Sequence, residues 1–325
     1  MSEAKGMTKT MENTRTKTTR NSLILLLTAA IWGMAFVSQS KGMDYMHPFT
    51  FNGVRSLIGA ASILVYILIS RKIAGDKAAP LDWKLNVKAG LLCGIFLTIA
   101  STLQQFGIKY TSVGKAGFIT TLYIIFVPMF GIFLKKKVAP VVWAAAVMAA
   151  VGMYLLCMTE SLRLGAGDIM VFLCAIAFAI QIMTVDHYAA RIDGAVVSCI
   201  QFTVCGVVCC IGALIWGQPT FGQLQEGLGA LLYAGVLSCG VGYTLQIVGQ
   251  KGLNPTVAAL IMSLESVIAT ISGWIAYKIG FLTTDQTLTA RQIAGCVIVF
   301  AAVILVQLPP EWFRFGKKNA SIKNA

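Results

Sequence analysis

The sequence predicts an all-α membrane protein: ten transmembrane helices arranged as two inverted halves of five. Three observations carry this. Ten apolar stretches run from Ser22 to Leu308 with only short connections between them. Most are about 20 residues, the length at which an α-helix crosses a hydrocarbon layer of roughly 30 Å. Basic residues fall unevenly on alternate connections. Finally, the chain set against itself at an offset of 142 residues lays one polar turn and apolar helix over another.

The first stretch, 22–40, follows a basic, Thr-rich segment and imitates a secretory signal peptide. Its apolar run continues through Ile31, Trp32, Phe36 and Val37, too far for a cleaved leader. It is read as a retained span, with residues 1–21 as a disordered basic cytoplasmic tail. Spans at 49–70, 85–107, 113–134 and 138–158 complete a first half, 22–158. Gly90 and Gly94 stand in GxxxG spacing, a small face that lets helices approach closely. Pro128, inside the fourth span, predicts a kink. The second half, 167–308, holds spans at 167–187, 195–216, 227–249, 255–277 and 291–308. Pro255 sits in the first turn of its span, where proline is tolerated. Residues 309–325 form a second cytoplasmic tail.

The chain is 57% hydrophobic and 12% charged, about half the charged share of a soluble domain. A net charge of +13 would suit nucleic acid, but its placement argues otherwise. Nineteen of the 26 Lys and Arg lie on one side of the predicted spans and six on the other, with Arg55 inside a span. The positive-inside rule puts both termini in the cytoplasm of a multi-pass plasma-membrane protein. Nucleic acid is excluded as a partner.

Enzyme chemistry finds no footing. The connections are too short for a soluble catalytic domain. There is no Walker A sequence, no Gly-x-Ser-x-Gly elbow and no metal-spaced His–Glu cluster. The two histidines, His47 and His187, fall at opposite membrane faces. All nine cysteines fall inside spans and no CxxC occurs. Cys205 and Cys209 share a helix face, which is compatible with a soft metal; packing is the preferred reading. Neither a disulfide framework nor a metal or cofactor is expected.

At the offset of 142, Lys109 to Leu134 lies over Lys251 to Ala276, with identities at Lys109/Lys251, Ala116/Ala258, Ile119/Ile261, Leu122/Leu264 and Gly131/Gly273. Five spans per half is an odd number, so the second half enters the membrane from the opposite side. Inverted repeats of this kind are a hallmark of secondary transporters, whose substrate site lies between the halves near the midplane.

Polar residues deep in a span point to that site, because lipid makes them expensive. Glu265 lies mid-span, and its counterpart at the offset is Tyr123. Facing a shared cavity, the acid would carry a proton or meet a substrate amine. Arg55 stands about two turns into the second span, nearer the outer face. It would gate or meet an anion, with snorkelling to the headgroups as the alternative. Gln201 lies at a comparable depth in the second half. Trp32, Gln39, Gln104, Gln105, Gln181, Tyr243, Gln246 and Trp274 supply the remaining amides and aromatics that suit a polar-lined pathway. The expected substrate pathway is Glu265, Arg55, Tyr123, Trp32, Gln105, Gln181 and Gln246.

Several runs resemble the EamA-type transporters of the drug/metabolite transporter superfamily. Ala30 to Val37 (AIWGMAFV) is similar to the family's opening motif, and Pro48 to Arg55 (PFTFNGVR) to its entry to the second span. Ala116 to Tyr123 leading to Val127-Pro128 is a third likeness, and Pro255 to Glu265 a fourth. Gly167-Asp168 followed by Ala177 to Gln181 resembles the sixth span. The resemblance covers roughly 22–308. It implies ten helices in two inverted EamA repeats and a carrier of small metabolites, amino acids included, read here as efflux. A coupling proton or other ion, and pairing into a homodimer, are compatible with it. The family's Glu-Pro is replaced by Glu265-Ser266. Its Gly-Glu span endings are replaced by Leu134 to Lys137 and by Tyr277 to Gly280. The alternative function is a non-transporting membrane scaffold or sensory subunit.

Overall fold

The computed structural model describes residues 2–75, 80–111, 113–134, 138–157, 165–282 and 287–307. Lys77, Lys135, Lys136, Lys137, Arg163 and the tail expected at 309–325 lie outside them.

Every regular element among the described residues is helical. In order these are α1 (Ser2–Gly42), α2 (Pro48–Ala74), α3 (Trp83–Tyr110), α4 (Val113–Thr121), α5 (Tyr123–Phe133), α6 (Pro140–Cys157), α7 (Ala166–Tyr188) and α8 (Gly194–Gly212), the last extended by a π-helical turn, Ala213–Gly217. There follow α9 (Phe221–Glu226), α10 (Leu228–Leu232), a π-helical stretch Tyr233–Gly242, α11 (Tyr243–Gln250), α12 (Pro255–Met262), α13 (Leu264–Lys278) and α14 (Ala290–Gln307). Each apolar stretch of the sequence coincides with one helix or with consecutive helical segments. Residues 2–21, expected as a disordered tail, are instead helical and continuous with the rest of α1. Lys, Met, Ala and Glu are good helix formers, and extending an existing helix avoids the cost of nucleation.

Among the described residues, eight stretches are long and apolar enough to cross a membrane: Thr18–Gly42, Pro48–Ala74, Trp83–Tyr110, Ala116–Phe133, Ala166–Tyr188, Gly194–Gly217, Leu228–Gln250 and Pro255–Lys278. The apolar parts of α6 and α14 are shorter. Burial is inverted relative to a protein in water. Large apolar side chains such as Leu68, Ile73 and Val297 are exposed, while Gln105, Gln181 and Gln201 are wholly buried. Lipid rewards that arrangement, because apolar groups face the acyl chains and polar groups turn inward.

Helices of the two halves pack in matching pairs. α1 lies against α11 and α13, and α7 against α3, α4 and α5; α2 packs on α8, and α6 on α14. Small residues allow the close approaches. Gly90 and Gly94 press α3 onto α8, where a Cβ would stand 2.7 Å from Ile200 Cβ and 2.9 Å from Val204 Cβ. A Cβ on Gly33 would stand 2.6 Å from Ile268 Cβ and 2.7 Å from the Glu265 carbonyl oxygen, both on α13. Gly33→Val is therefore expected to lower stability by about 1–3 kcal/mol through overpacking, read as a fall in Tm of the detergent-solubilised protein.

Two of the crossing segments are broken within one residue of equivalent points. Pro128, where a kink is expected, stands inside α5, and the segment is interrupted before it, at Leu122, between α4 and α5. The counterpart of this break falls at Ser263, between α12 and α13. Hydroxyls take up the carbonyls at both breaks. Thr121 Oγ1 donates to the Phe118 carbonyl at 2.9 Å, and Ser263 Oγ to the Leu260 carbonyl at 2.7 Å. Such local bonds offset the backbone bonds lost in lipid. The helices that resume begin with Tyr123 and, one residue in, Glu265.

Candidate functional site

A cavity where the two halves meet collects many of the buried polar side chains. It is lined from α1 by Trp32, Ala35, Phe36 and Gln39, from α2 by Asn52 and Arg55, and from α3 by Leu97, Ser101 and Gln104. Thr120 and Tyr123 come from the first broken segment, Phe178, Gln181 and Ile182 from α7, and Phe202 from α8. Ser238 and Cys239 come from the π-helical stretch, Tyr243 and Gln246 from α11, and Glu265 from α13. The open space is about 30 Å³, room for roughly two water molecules.

The lining has an internal order. Phe36 and Phe178, Gln39 and Gln181, Leu97 and Cys239, Ser101 and Tyr243, Gln104 and Gln246, and Tyr123 and Glu265 are six pairs of wall residues. Each pair is separated by 142 positions. The last pair touches: Tyr123 Oη donates to Glu265 Oε1 at 3.0 Å.

The amides are unequal in their bonding. Gln246 Nε2 donates to Gln181 Oε1 at 3.2 Å. The equivalent bond between Gln39 and Gln104 is not made; Gln104 Nε2 donates to Thr120 Oγ1 at 3.2 Å instead. Gln39 Oε1, Gln181 Nε2 and Gln246 Oε1 are buried without a hydrogen-bond partner among the described residues. Leaving such a group unsatisfied costs about 1–3 kcal/mol, so these atoms are poised to bond something that enters the cavity.

Two ionisable groups stand in the wall. Arg55 is 5% exposed and Glu265 4%, and neither has an ion-pair partner among the described residues. Arg55 Nε donates to Asn52 Oδ1 at 3.0 Å, and its guanidinium lies 5.5 Å from the Phe51 ring centroid. Asn52 is itself fixed by donating to Ser101 Oγ at 3.1 Å. The terminal nitrogens of Arg55 make no bond to protein among the described residues. An aromatic row flanks this region: Trp32 and Tyr243 have ring centroids 4.5 Å apart, and Tyr243 meets Phe202 edge-on at 4.9 Å. The Trp32 indole donates to the Ser238 carbonyl at 3.4 Å.

Of the residues expected to line a pathway, Glu265, Arg55, Tyr123, Trp32, Gln181 and Gln246 stand together on this wall. Gln105 does not. One residue along a helix turns the side chain by about 100°, so Gln104 faces the cavity while Gln105 Nε2 donates to the Gln39 backbone carbonyl at 3.3 Å. Gln39 and Tyr243 are on the wall. Gln201 is buried away from it, with neither amide atom bonded, and Trp274 is half-buried outside it. Asn52 and Thr120, inside the Pro48–Arg55 and Ala116–Tyr123 runs, and Ser101, outside any motif, also stand on the wall, and none of the three was expected there. The offset of 142 applied to Gln39 and Gln104 does point to Gln181 and Gln246. Among the described residues no group of three or more His, Cys, Asp or Glu is placed to hold a metal ion.

Known proteins share this architecture. The EamA-like transporter family model matches residues 20–158 and again 165–308, once per half. An uncharacterized transporter of Archaeoglobus fulgidus is 27% identical over 290 residues, covering 87% of this chain and 84% of that protein. The uncharacterized transporter YwfM of Bacillus subtilis is 24% identical over 294 residues, covering 89% and 94%. A protein of known crystal structure has the same fold, with a TM-score of 0.70 at 16% identity over 91% of this chain and 99% of its own. Matched along both halves, the chain is a multi-pass membrane protein and belongs to the EamA-like transporter family.

Proposed function

We propose that the protein is a secondary transporter that exports small polar or amphipathic metabolites, amino acids and related compounds, by alternating access. The observation that carries this reading is the set of six wall pairs at one spacing, ending in the Tyr123–Glu265 bond. A cavity built from equivalent residues of two halves has two equivalent ways to open, and that is what alternating access needs. In this reading α6 and α14 complete a tally of ten crossings, the halves are inverted, and both termini are cytoplasmic in the plasma membrane. The cargo's carboxylate meets Arg55, an amine or a coupling proton meets Glu265, and an apolar body lies against Trp32, Tyr243 and Phe202. The free amide atoms of Gln39, Gln181 and Gln246 take its remaining polar groups.

The unequal glutamine pairs suggest how the two states differ. On the proposed topology Gln181 and Gln246 lie toward the cytoplasm, and Gln39 and Gln104 toward the outside. With the inner bond made and the outer one open, exchange of the two arrangements moves the closure from one side to the other. In a variant with native cysteines replaced by serine, a 181–246 disulfide and a 39–104 disulfide are each expected to stop flux, with reduction restoring it. Flux that survives either cross-link would remove the latch. The function itself is tested by counterflow in proteoliposomes across the amino acids. Saturable exchange of at least one is expected, and its absence for every one tried contradicts the cargo assignment.

A further inference from the structure

We propose that Cys205 and Cys209 form a dithiol site within the membrane for a soft, thiophilic ligand, coupled to Arg55 through Asn52. Both cysteines are buried on α8, one turn apart on the same face. Asn52 Nδ2 reaches both sulfurs, at 3.9 Å for Cys205 and 3.2 Å for Cys209. Ser56 Oγ and Ser101 Oγ each lie 3.4 Å from Cys205 Sγ, and Thr102 Oγ1 lies 3.4 Å from Cys209 Sγ. Two thiols thus share one polar shell of three hydroxyls and an amide.

The donor set selects the ligand. With no third thiol, imidazole or carboxylate clustered beside them among the described residues, ions that need three or four strong donors are poorly served. Cu(I), which takes two thiolates in a line, or a trivalent arsenical whose third position already carries carbon, is suited to two sulfurs alone. Hydrogen-bond donors around the sulfurs hold the negative charge they acquire on losing their protons. Cys210 faces elsewhere, its sulfur packed 2.8 Å from where a Cβ on Gly53 would stand.

Access and consequence both run through the cavity wall. Asn52 and Ser101 line the cavity and also touch the dithiol, so the sulfurs lie one side chain behind it. Asn52 Oδ1 accepts from Arg55 Nε at 3.0 Å. A ligand that takes both sulfurs removes their bonds to Asn52 and frees the guanidinium from its orientation. The coupling rests on the transport reading, whereas the site does not.

Phenylarsine oxide is the probe. Two arsenic–sulfur bonds form, the arsenic oxygen leaves as water with both thiol protons, and arsenic stays trivalent. Intact mass of the treated full-length protein is expected to show one arsenical that survives a monothiol wash and is removed by 2,3-dimercaptopropanol. Cys205→Ser and Cys209→Ser each lose the adduct, and Cys210→Ser keeps it; Cys205→Ala serves if serine disturbs folding. No adduct on the wild type, or an adduct kept by both single variants, overturns the site. In proteoliposomes the arsenical is expected to slow wild-type flux at least tenfold and to leave the Cys205 variant at its own untreated rate. An adduct without slowing overturns the link to Arg55 and leaves the cargo assignment to its own assay.

Discussion

Arg55→Gln is expected to cut the flux of carboxylate-bearing cargo by roughly 30-fold or more while leaving the protein at least as stable. The two halves of that expectation have one cause. A guanidinium that is 5% exposed and has no acid partner among the described residues is held at a desolvation cost when the cavity is empty. Its Nε bond to Asn52 and its place over Phe51 return only part of that cost. On the proposed function a bound carboxylate supplies the rest, and losing one partner of such a desolvated pair costs about 2–5 kcal/mol. Glutamine keeps a donor of similar reach without the charge, so the empty protein loses little or gains. Flux in proteoliposomes and Tm in detergent read the two separately. A fall in Tm with equal loss for neutral and carboxylate cargo would make Arg55 a structural residue and remove the carboxylate site.

Helix positions were legible because lipid leaves the backbone few choices. A crossing segment must satisfy every N–H and C=O within itself, so an apolar run of about 20 residues is already a helix. That is why α2, α3 and α7 fall on their predicted stretches. Glu265 and Tyr123 were legible as a pair because the offset of 142 lays one over the other, and the two side chains meet. The phase of α3 was not. A helix packed on several sides has no simple apolar stripe, so nothing in Gln104-Gln105 says which amide faces inward, and Gln105 proves to face the α1 backbone. The break at Leu122 was hidden for a different reason. It depends on Thr121 turning its hydroxyl to a carbonyl of its own helix, and a threonine in a span more often does this without breaking it. The π-helical stretch 233–242 carries only Gly235, Gly240 and Gly242 as hints, and glycines serve close packing as often as irregular backbone.

Glu265→Gln and Tyr123→Phe are expected to fail differently, and the difference tests the acid's role. Glutamine at 265 still accepts from Tyr123 Oη, a bond of 3.0 Å in the wild type, so the fold and the cavity wall persist. What is lost is a group able to take up and release a proton. Flux driven by an imposed pH gradient should fall to the level of flux without one, while exchange of cargo already at equal pH continues. Phenylalanine at 123 keeps the acid but strips its hydrogen bond from a buried site, at a cost of about 1–3 kcal/mol. That variant should lose stability and retain some response to the gradient. The assay is uptake into proteoliposomes with and without a pH step, beside Tm in detergent for each variant. If the glutamine variant still follows the gradient, the proton is carried elsewhere and Glu265 is left as a partner for a cargo amine. If it also exchanges amine-bearing cargo at the wild-type rate, the carboxyl has no part in transport, and the Tyr123–Glu265 bond only fastens α5 to α13 where the two broken segments meet.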